Sequence, residues 1–414
     1  MNKSLEDIRK SVRQQVLSTI DLSKDISDEE MFELVDKELS ETLRHMVISV
    51  ADRKRLRIQI FHSIRKLDIL QQLLDDPEIT EIMINGTENI FLEKKGEITK
   101  FDGRFESREK LEDVVQQIVA SCNRVVNQSQ PIVDARLYGS RVNIVMEPIA
   151  LNGPIITIRR FPDKPVNMEK LIEFGSISPY LRDYLSVLVK AGYNIFISGG
   201  TGSGKTTFLN ALSDFIPKDL RVITIEDSAE LQILGVPNLV RLEARNANVE
   251  GCNPVTIRDL IKSSLRMRPD WIIVGEVRGG ECVDMLQAMN TGHMAMSTGH
   301  SNSAHDMLYR IETMSLMGMG ELPLSAVRGQ ISAGIDIIVH LGRLRDKSRK
   351  VLEICEVGKE LDENGKIPMN TLFRFEEKSC GNNNKIVGEW RQMSELQNIE
   401  KLAAAGLSLP NIQK

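Results

Sequence analysis

A glycine-rich stretch at residues 199–207, GGTGSGKTT, combines four glycines with a lysine and hydroxyl side chains. A glycine, four further residues and then Gly-Lys-Thr is the spacing of a P-loop, and the apolar run NIFIS before it gives the strand that a P-loop follows. Backbone amides of such a loop surround phosphate oxygens, Lys205 reaches the β- and γ-phosphates, and the Thr206 hydroxyl completes a Mg²⁺ shell. The sequence therefore predicts a site for a nucleoside triphosphate. The predicted phosphate-binding residues are Gly200, Thr201, Gly202, Ser203, Gly204, Lys205, Thr206 and Thr207.

Two other interpretations of this stretch are weaker. A dinucleotide-binding fingerprint that starts at Gly200 and Gly202 needs a third glycine at the position of Lys205. A glycine turn that binds nothing is the other alternative, and it leaves the lysine and threonine without a role.

A carboxylate is predicted near the metal. The segment RPDWIIVGEVRGGE is an apolar strand that ends in Glu276, at the edge of a parallel sheet where the P-loop also lies. This is the Walker B position, and glutamate there suits a contact with Mg²⁺ through a water. The predicted metal-binding residues are thus Thr206 and Glu276, with a solvated strand-end glutamate as the alternative.

Three carboxylates follow a second strand, VITIEDSAE, at Glu226, Asp227 and Glu230. Carboxylates in one place repel one another, and a metal or a bound water network makes the arrangement tolerable. One of them is expected to polarise the attacking water, although loop carboxylates without a role remain the alternative.

Three histidines lie within TGHMAMSTGHSNSAHD, at His293, His300 and His305. A neutral imidazole donates to phosphate, so His300 and His293 are predicted to sense the γ-phosphate, while His305 fits a helix surface. Metal ligation and a structural role are the alternatives. His293 and His300 lie near opposite ends of a predicted strand, and no cysteine is close to them.

The strands that position these residues alternate with helices, which predicts an α/β domain with a parallel sheet over residues 181–345. We predict a helical bundle over 1–70, an α+β domain over 71–162 and a linker with three prolines over 163–180. Residues 346–414 are predicted as a C-terminal extension with a strand pair and a terminal helix.

The composition narrows the class of protein. No apolar run of the 414 residues is long enough to span a membrane and no secretory signal is visible, so we expect a cytoplasmic protein with at most peripheral membrane association. Five scattered cysteines without a Cys-x-x-Cys pair argue against disulfides and structural zinc. The net charge of −5 argues against a nucleic-acid partner.

The four motifs together resemble the Walker A, Asp box, Walker B and His box of the type II/IV secretion ATPases. The stretches PIVDARLYGSRVNIV, GPIITIRRF and VTIRDLIKSSLRMRP resemble the CpaF branch, which drives tight-adherence pili and related type IV filaments. The resemblance covers residues 70 to 345 and extends to the terminal helix LAAAGLSLP. It implies a RecA-like P-loop NTPase domain, a homo-hexamer, and ATP and Mg²⁺ as nucleotide and metal.

The resemblance also implies roles for single residues. Lys205 and Thr206 match the Walker A pair, Glu276 the Walker B carboxylate and Glu230 the catalytic glutamate of the Asp box, while His293 and His300 match the His box. Arginines of the α+β domain are expected to complete the nucleotide site, and the candidates are Arg136, Arg141, Arg159 and Arg160, with Arg141 and Arg159 preferred. Ser228 and Gly299 depart from residues common in the superfamily.

The preferred function is a ring ATPase that powers a type IV pilus-like filament, or secretion, through an inner-membrane platform protein. A nucleic-acid translocase of a conjugation-type system is the first alternative, and DNA-stimulated hydrolysis would distinguish it. A nucleotide-gated binding module that hydrolyses slowly is the second, and it would require the loss of a catalytic carboxylate.

Overall fold

The computed structural model describes residues 5–20, 26–44, 46–94, 96–122, 124–161, 165–245, 253–318, 322–380 and 385–411. The chain forms two compact units, one built by Met1–Pro162 and the other by Asp163–Ala247 with Gly251–Lys414. Each unit has its own hydrophobic core or cores.

The first unit contains five helices and six strands among its described residues. They are α1 (Leu5–Thr19), α2 (Asp28–Thr42), α3 (Val50–Arg65), α4 (Ile69–Leu74), β1 (Ile79–Asn85), β2 (Asn89–Lys94), β3 (Glu97–Lys100), α5 (Arg108–Ser121), β4 (Ile132–Leu137), β5 (Ser140–Val145) and β6 (Ile155–Arg160).

Helices α1 to α3 form a bundle around a core of their own, because each places apolar residues at helical spacing on one face. A capping box begins α2, since the Ser27 side chain accepts from the Glu30 amide and the Glu30 carboxylate accepts from the Ser27 amide.

The six strands form one sheet in the order β3-β2-β1-β6-β5-β4, covered by α5. Helix α4 contributes Leu70, Leu73 and Leu74 to this core rather than to the bundle. The boundary predicted at residue 70 therefore falls inside a helix that belongs to the sheet.

The second unit has eight helices and nine strands among its described residues. They are α6 (Met168–Glu173), α7 (Pro179–Lys190), β7 (Ile195–Gly199), α8 (Lys205–Ser213), β8 (Val222–Glu226), β9 (Leu239–Glu243), α9 (Ile257–Ser264), β10 (Trp271–Val274), α10 (Glu281–Asn290), β11 (Met294–Gly299), α11 (Ala304–Gly318), α12 (Leu324–Gly334), β12 (Ile337–Arg343), β13 (Arg349–Val357), β14 (Met369–Cys380), β15 (Ile386–Gln392) and α13 (Glu400–Ala405).

All nine strands lie in one mixed sheet, in the order β15-β14-β13-β12-β7-β11-β10-β8-β9. The strands from β12 to β9 in this order are parallel, and β13, β14 and β15 continue the sheet in antiparallel fashion. Strands β7, β8 and β10 are buried throughout, as strands covered by helices on both faces must be. The predicted α/β fold is confirmed.

Two predictions about the flanks of this sheet are wrong in part. The segment predicted as a linker contains α6, whose Met168 and Leu171 are buried in the core of the second unit. The predicted C-terminal extension contributes three strands, β13, β14 and β15, to the main sheet. Two of them, β14 and β15, were not predicted because their sequences are polar. Residues 163 and 164 lie outside the described residues.

Two buried carboxylates fasten the C-terminal segment to the sheet. Asp336 accepts from the Lys401 ammonium and from the Asn194 amide, at 2.6 and 2.7 Å, and Lys359 lies 2.6 Å from its other oxygen. Glu356 accepts from the amides of Gln397 and Asn398. A terminal segment without a large apolar face is thus held by charge-assisted hydrogen bonds.

We expect Asp336→Ala to lower the free energy of unfolding of the second unit by about 3 kcal/mol, because two lysines lose their buried partner. The value lies at the low end of the range for buried pairs, since both lysines keep about a third of their surface in water. Urea unfolding measures the change, with Asp219→Ala at an exposed position as the control. Equal effects of the two substitutions would contradict the anchoring role of Asp336.

Among the residues described, no helix has both the length and the apolar character needed to cross a bilayer. The free cysteines there are Cys122, Cys282 and Cys355. Cys252 and the side chain of Cys380 lie outside the described part.

Candidate nucleotide site

The P-loop connects β7 to α8 at the carboxyl edge of the parallel strands. Gly202 and Gly204 have φ values of 71° and 93°, in the left-handed region that glycine adopts without strain. A Cβ on Gly199 would stand 2.4 Å from the Leu341 carbonyl oxygen of β12, so only glycine fits between the strands. No side chain caps α8, which leaves the amides of its first turn directed at the space above the loop.

Lys205 lies at the start of α8 and is buried. Its ammonium donates to the carbonyl oxygens of Gly199 and Gly200, each at 3.0 Å, and lies 3.3 Å from Nδ1 of His300. Burial lowers the pKa of Lys205, with the Arg278 charge acting in the same direction and the Glu276 charge opposing it. The charge of the buried ammonium is therefore incompletely neutralised by the protein, which suits a group that donates to phosphate oxygens.

Glu276 follows β10, two places along the sheet from β7. One of its oxygens lies 3.0 Å from Nε2 of His300, and the other accepts from the Arg278 guanidinium at 2.8 Å. His300 thus joins Lys205 to Glu276. Burial, followed by the Lys205 charge, lowers the pKa of His300, so its ring is neutral at pH 7.

Arg278 is a member of the site that the sequence analysis missed. Besides Glu276, its guanidinium lies 3.5 Å from a carboxylate oxygen of Asp227, so it joins the strand ends of β10 and β8. The signal was present in the stretch GEVRGGE, where an arginine stands two residues after the Walker B glutamate.

The three predicted carboxylates after β8 have different surroundings. Glu226 is buried, and one of its oxygens accepts from the amides of Glu230 and Leu231, both at 2.8 Å. Asp227 is exposed and Glu230 is half-buried. Glu226 therefore fixes the loop that carries Glu230. The bond uses the backbone amide of Glu230 and leaves the Glu230 carboxylate available for other contacts.

Burial raises the pKa of Glu226 from its ordinary value of 4.5 to about 7, against the two amide hydrogen bonds. The folded protein binds this proton more tightly than the unfolded chain does. The stability that the proton provides is present at low pH and is lost as the pH rises through 7.

We therefore expect the stability of the wild type relative to Glu226→Gln to fall between pH 5 and pH 8, by on the order of 3 kcal/mol. Glutamine keeps an acceptor for the two amides but does not titrate. Urea unfolding of both proteins across this range measures the difference. A difference that stays constant with pH would contradict the raised pKa.

The histidines predicted as phosphate sensors lie at opposite edges of the sheet. His300 follows β11 and contacts Lys205, whereas His293 precedes β11 and lies within 3.3 Å of Thr291 and the Ala288 carbonyl. Because β11 and β7 are parallel, His293 is a strand length from the P-loop. The prediction that His293 meets the phosphate is wrong within a single chain.

The four candidate arginines lie in the first unit, on neighbouring strands. Arg159, Arg141 and Arg136 are directly opposite one another across β6, β5 and β4, so their side chains leave the same face of that sheet. Arg160 instead donates to the carbonyl oxygens of Leu74 and Asp76. Strand register thus places three of the arginines in one row, whereas the guanidinium of Arg160 bonds to the backbone that precedes β1.

The residues present fit a magnesium nucleotide. Oε1 of Glu276 is buried and, although Nε2 of His300 lies 3.0 Å away, makes no hydrogen bond of suitable geometry among the described residues; the same holds for the hydroxyl of Ser203. Thr206 lies in the first turn of α8 at the same sheet edge. A cleft of about 320 Å³ beside them is lined by Gly200, Thr201, His300, Asn302 and Arg310, with Ser301 and Asp306. No cluster of His, Cys, Asp and Glu in the described chain would hold a metal alone, so phosphate and water must supply most ligands of a Mg²⁺ here.

A family model described as "Type II/IV secretion system protein" matches residues 64–404. The chain belongs to the type II/IV secretion system protein family. The match begins in the last turn of α3 and ends within α13, so it covers both sheets and leaves out most of the helical bundle.

Two relatives align with most of the part of this chain that the family model matches. A putative conjugal transfer protein of Mycobacterium tuberculosis is 33% identical over 295 residues, which are 69% of this chain and 83% of the relative. A type IV secretion system protein PtlH homolog of Bordetella bronchiseptica is 30% identical over 315 residues, 70% and 93% of the two chains.

A solved structure, the Legionella pneumophila ATPase DotB, has the same fold. It superposes with a TM-score of 0.50 at 21% identity, over 70% of this chain and 80% of DotB.

Proposed function

We propose that this protein hydrolyses ATP as a cytoplasmic motor subunit of a membrane-bound secretion or pilus machine. The observation that supports it best is the linked set Lys205, His300 and Glu276, which brings the P-loop cation, a neutral imidazole and a strand-end carboxylate within hydrogen-bond distance at one sheet edge.

The chain's own residues divide the work. The amides at the start of α8 hold phosphate oxygens, and Lys205 neutralises the β- and γ-phosphates as charge develops on them. Thr206 and Glu276 would hold Mg²⁺, which when bound withdraws charge from the same phosphates. Glu230, presented by the Glu226 hydrogen bonds, orients the attacking water and takes its proton.

We further propose a homo-hexamer in which the row of Arg136, Arg141 and Arg159 serves a nucleotide site shared between subunits. The three arginines concentrate positive charge on one face of the sheet, which attracts an anion even though Asp134 lies 3.6 Å from Arg141 and Glu81 is directly opposite Arg159. An arginine supplied by a neighbour raises the rate of a P-loop site by as much as 10³ to 10⁵.

Isolated monomers are accordingly expected to hydrolyse ATP poorly. Specific activity is measured against protein concentration while light scattering follows the mass, and it should rise steeply as larger assemblies appear. Arg141→Ala and Arg159→Ala should remove most of this rise, whereas Arg44→Ala on the helical bundle serves as the matched control. A monomer that works at the full rate after high dilution would overturn the shared site.

The machine that the motor drives is a tight-adherence or related type IV filament assembly system, with an inner-membrane platform protein as partner and peripheral attachment at the cytoplasmic membrane. The four motifs and the flanking stretches support the filament. One named relative, the putative conjugal transfer protein, favours a second candidate, a conjugal transfer apparatus. Purifying the tagged chain with its membrane partner tests the two, and strong stimulation of hydrolysis by DNA would favour conjugation.

A further inference from the structure

The turn between β12 and β13 lies beside the P-loop. Leu341 of β12 pairs with Gly199, the last residue of β7, so the two residues that follow Leu341 run level with the start of the P-loop. Arg343, the end of β12, is directly opposite Arg349, the start of β13. This basic hairpin, residues 343–349, belongs to a segment that carries no recognised motif.

Arg349 contacts the P-loop itself. Its Nε donates to the Gly202 carbonyl oxygen at 2.8 Å, and its Cδ lies 3.4 Å from where a Cβ on Gly204 would stand. The side chain is exposed, so the terminal nitrogens of the guanidinium remain open to solvent above the loop. An arginine held in this way is oriented before any ligand arrives.

The pair of arginines lacks a counter-charge. Like charges directly opposite in an antiparallel pair destabilise the sheet. Within the described residues, no carboxylate lies within ion-pair distance of Arg343 or Arg349, although Arg345 between them pairs with Glu377 at 2.8 Å. The turn itself is rigid, because Asp346 accepts from the Ser348 amide, the Ser348 hydroxyl and the Ile386 amide.

The position of the hairpin decides which part of a nucleotide it meets. His300 and Glu276 follow β11 and β10, on one side of β7, and mark the γ-phosphate end of the site. The hairpin follows β12, on the other side of β7. A P-loop cradles the α- and β-phosphates while its lysine reaches the β and γ positions, so the opposite flank faces the α-phosphate.

We propose that Arg343 and Arg349 form a subsite for the α-phosphate of the bound nucleoside di- or triphosphate. The inference rests on the proposed function, since it concerns the same nucleotide. Because ADP and ATP share the α-phosphate, the pair contributes equally to the affinity of both. It binds substrate and transition state alike, so it does not accelerate hydrolysis.

Isothermal titration calorimetry with ADP and with the non-hydrolysable analogue adenylyl imidodiphosphate tests the subsite. We expect Arg349→Ala and Arg343→Ala each to weaken both ligands about tenfold and by a similar factor, as the loss of one charge-assisted hydrogen bond does. The value of kcat at saturating ATP should stay within about twofold. Arg345→Ala, on the same turn but paired with Glu377, should bind as the wild type does.

Three results would overturn the proposal. If the substitutions weaken binding of the analogue but leave binding of ADP unchanged, the arginines lie at the γ-phosphate instead. A fall in kcat with unchanged affinities would make Arg349 a positioning residue for the P-loop. Unchanged affinities and kcat would leave the pair without a role in nucleotide binding. All three presuppose a wild type that binds and hydrolyses ATP, so failure of the proposed function appears separately, as a wild type that does neither.

Discussion

Replacing Lys205 by alanine is expected to abolish ATP hydrolysis. The ammonium is buried, donates to two P-loop carbonyls and lies beside His300, so it is held at the end of the P-loop where the phosphates are expected. Without it, charge that spreads over the β- and γ-phosphates in the transition state is not neutralised. Phosphate release by the purified variant, at matched protein concentration and assembly state, measures the loss.

The matched control is Lys190→Ala, an exposed lysine at the end of α7. It lies before β7, at the sheet edge away from the P-loop, and should hydrolyse ATP as the wild type does. Unchanged hydrolysis by Lys205→Ala would show that the P-loop is not the reacting site.

Glu230→Gln is expected to keep ATP binding and to lower turnover by about a hundredfold or more, on the order of 3 kcal/mol of barrier. Glutamine retains the size of the side chain but no longer accepts a proton from water. Calorimetry with the non-hydrolysable analogue measures binding, and single-turnover hydrolysis measures the chemical step.

Glu226→Gln is the informative comparison. Its carboxylate is buried and accepts two backbone amides, and glutamine preserves an acceptor there, so turnover should fall much less than in Glu230→Gln. If Glu226→Gln is the more damaging change, the water is oriented by Glu226 and the assignment of Glu230 is wrong.

Local patterns predicted much of this molecule. The P-loop is contiguous, and parallel strands bring their carboxyl ends to one edge, so Glu276 was expected near Lys205 from its place at the end of an apolar strand. His300 was predicted as a phosphate sensor from its residue type and from its match to the His box. The α/β fold followed from the alternation of apolar strands and helices. Strand register then separated Arg160 from the other arginines, which no sequence pattern had distinguished.

The remainder depends on pairings between distant segments. Arg349 reaches the P-loop only because β12 pairs with β7. Its hydrogen bond to the Gly202 carbonyl spans 147 positions of sequence, and no local pattern indicates it. Strands β14 and β15 are only partly buried, and many of their residues are polar or charged. Their sequences therefore lack the apolar run by which the other strands were predicted. His293 and His300 were expected at opposite ends of a strand, but similarity to the His box implied a phosphate contact for both, and within one chain only His300 reaches the P-loop lysine.

The buried anchor of the C-terminal segment has a consequence for local unfolding. Lys401 reaches both Asp336 and the Gly192 carbonyl, and Asp336 also receives the Asn194 amide immediately before β7. Release of α13 leaves a buried carboxylate undercompensated at the first residues of the strand that ends in the P-loop. Hydrogen exchange at the start of β7 should therefore quicken whenever α13 detaches, so that α13 and the strand leading into the P-loop open as one cooperative unit.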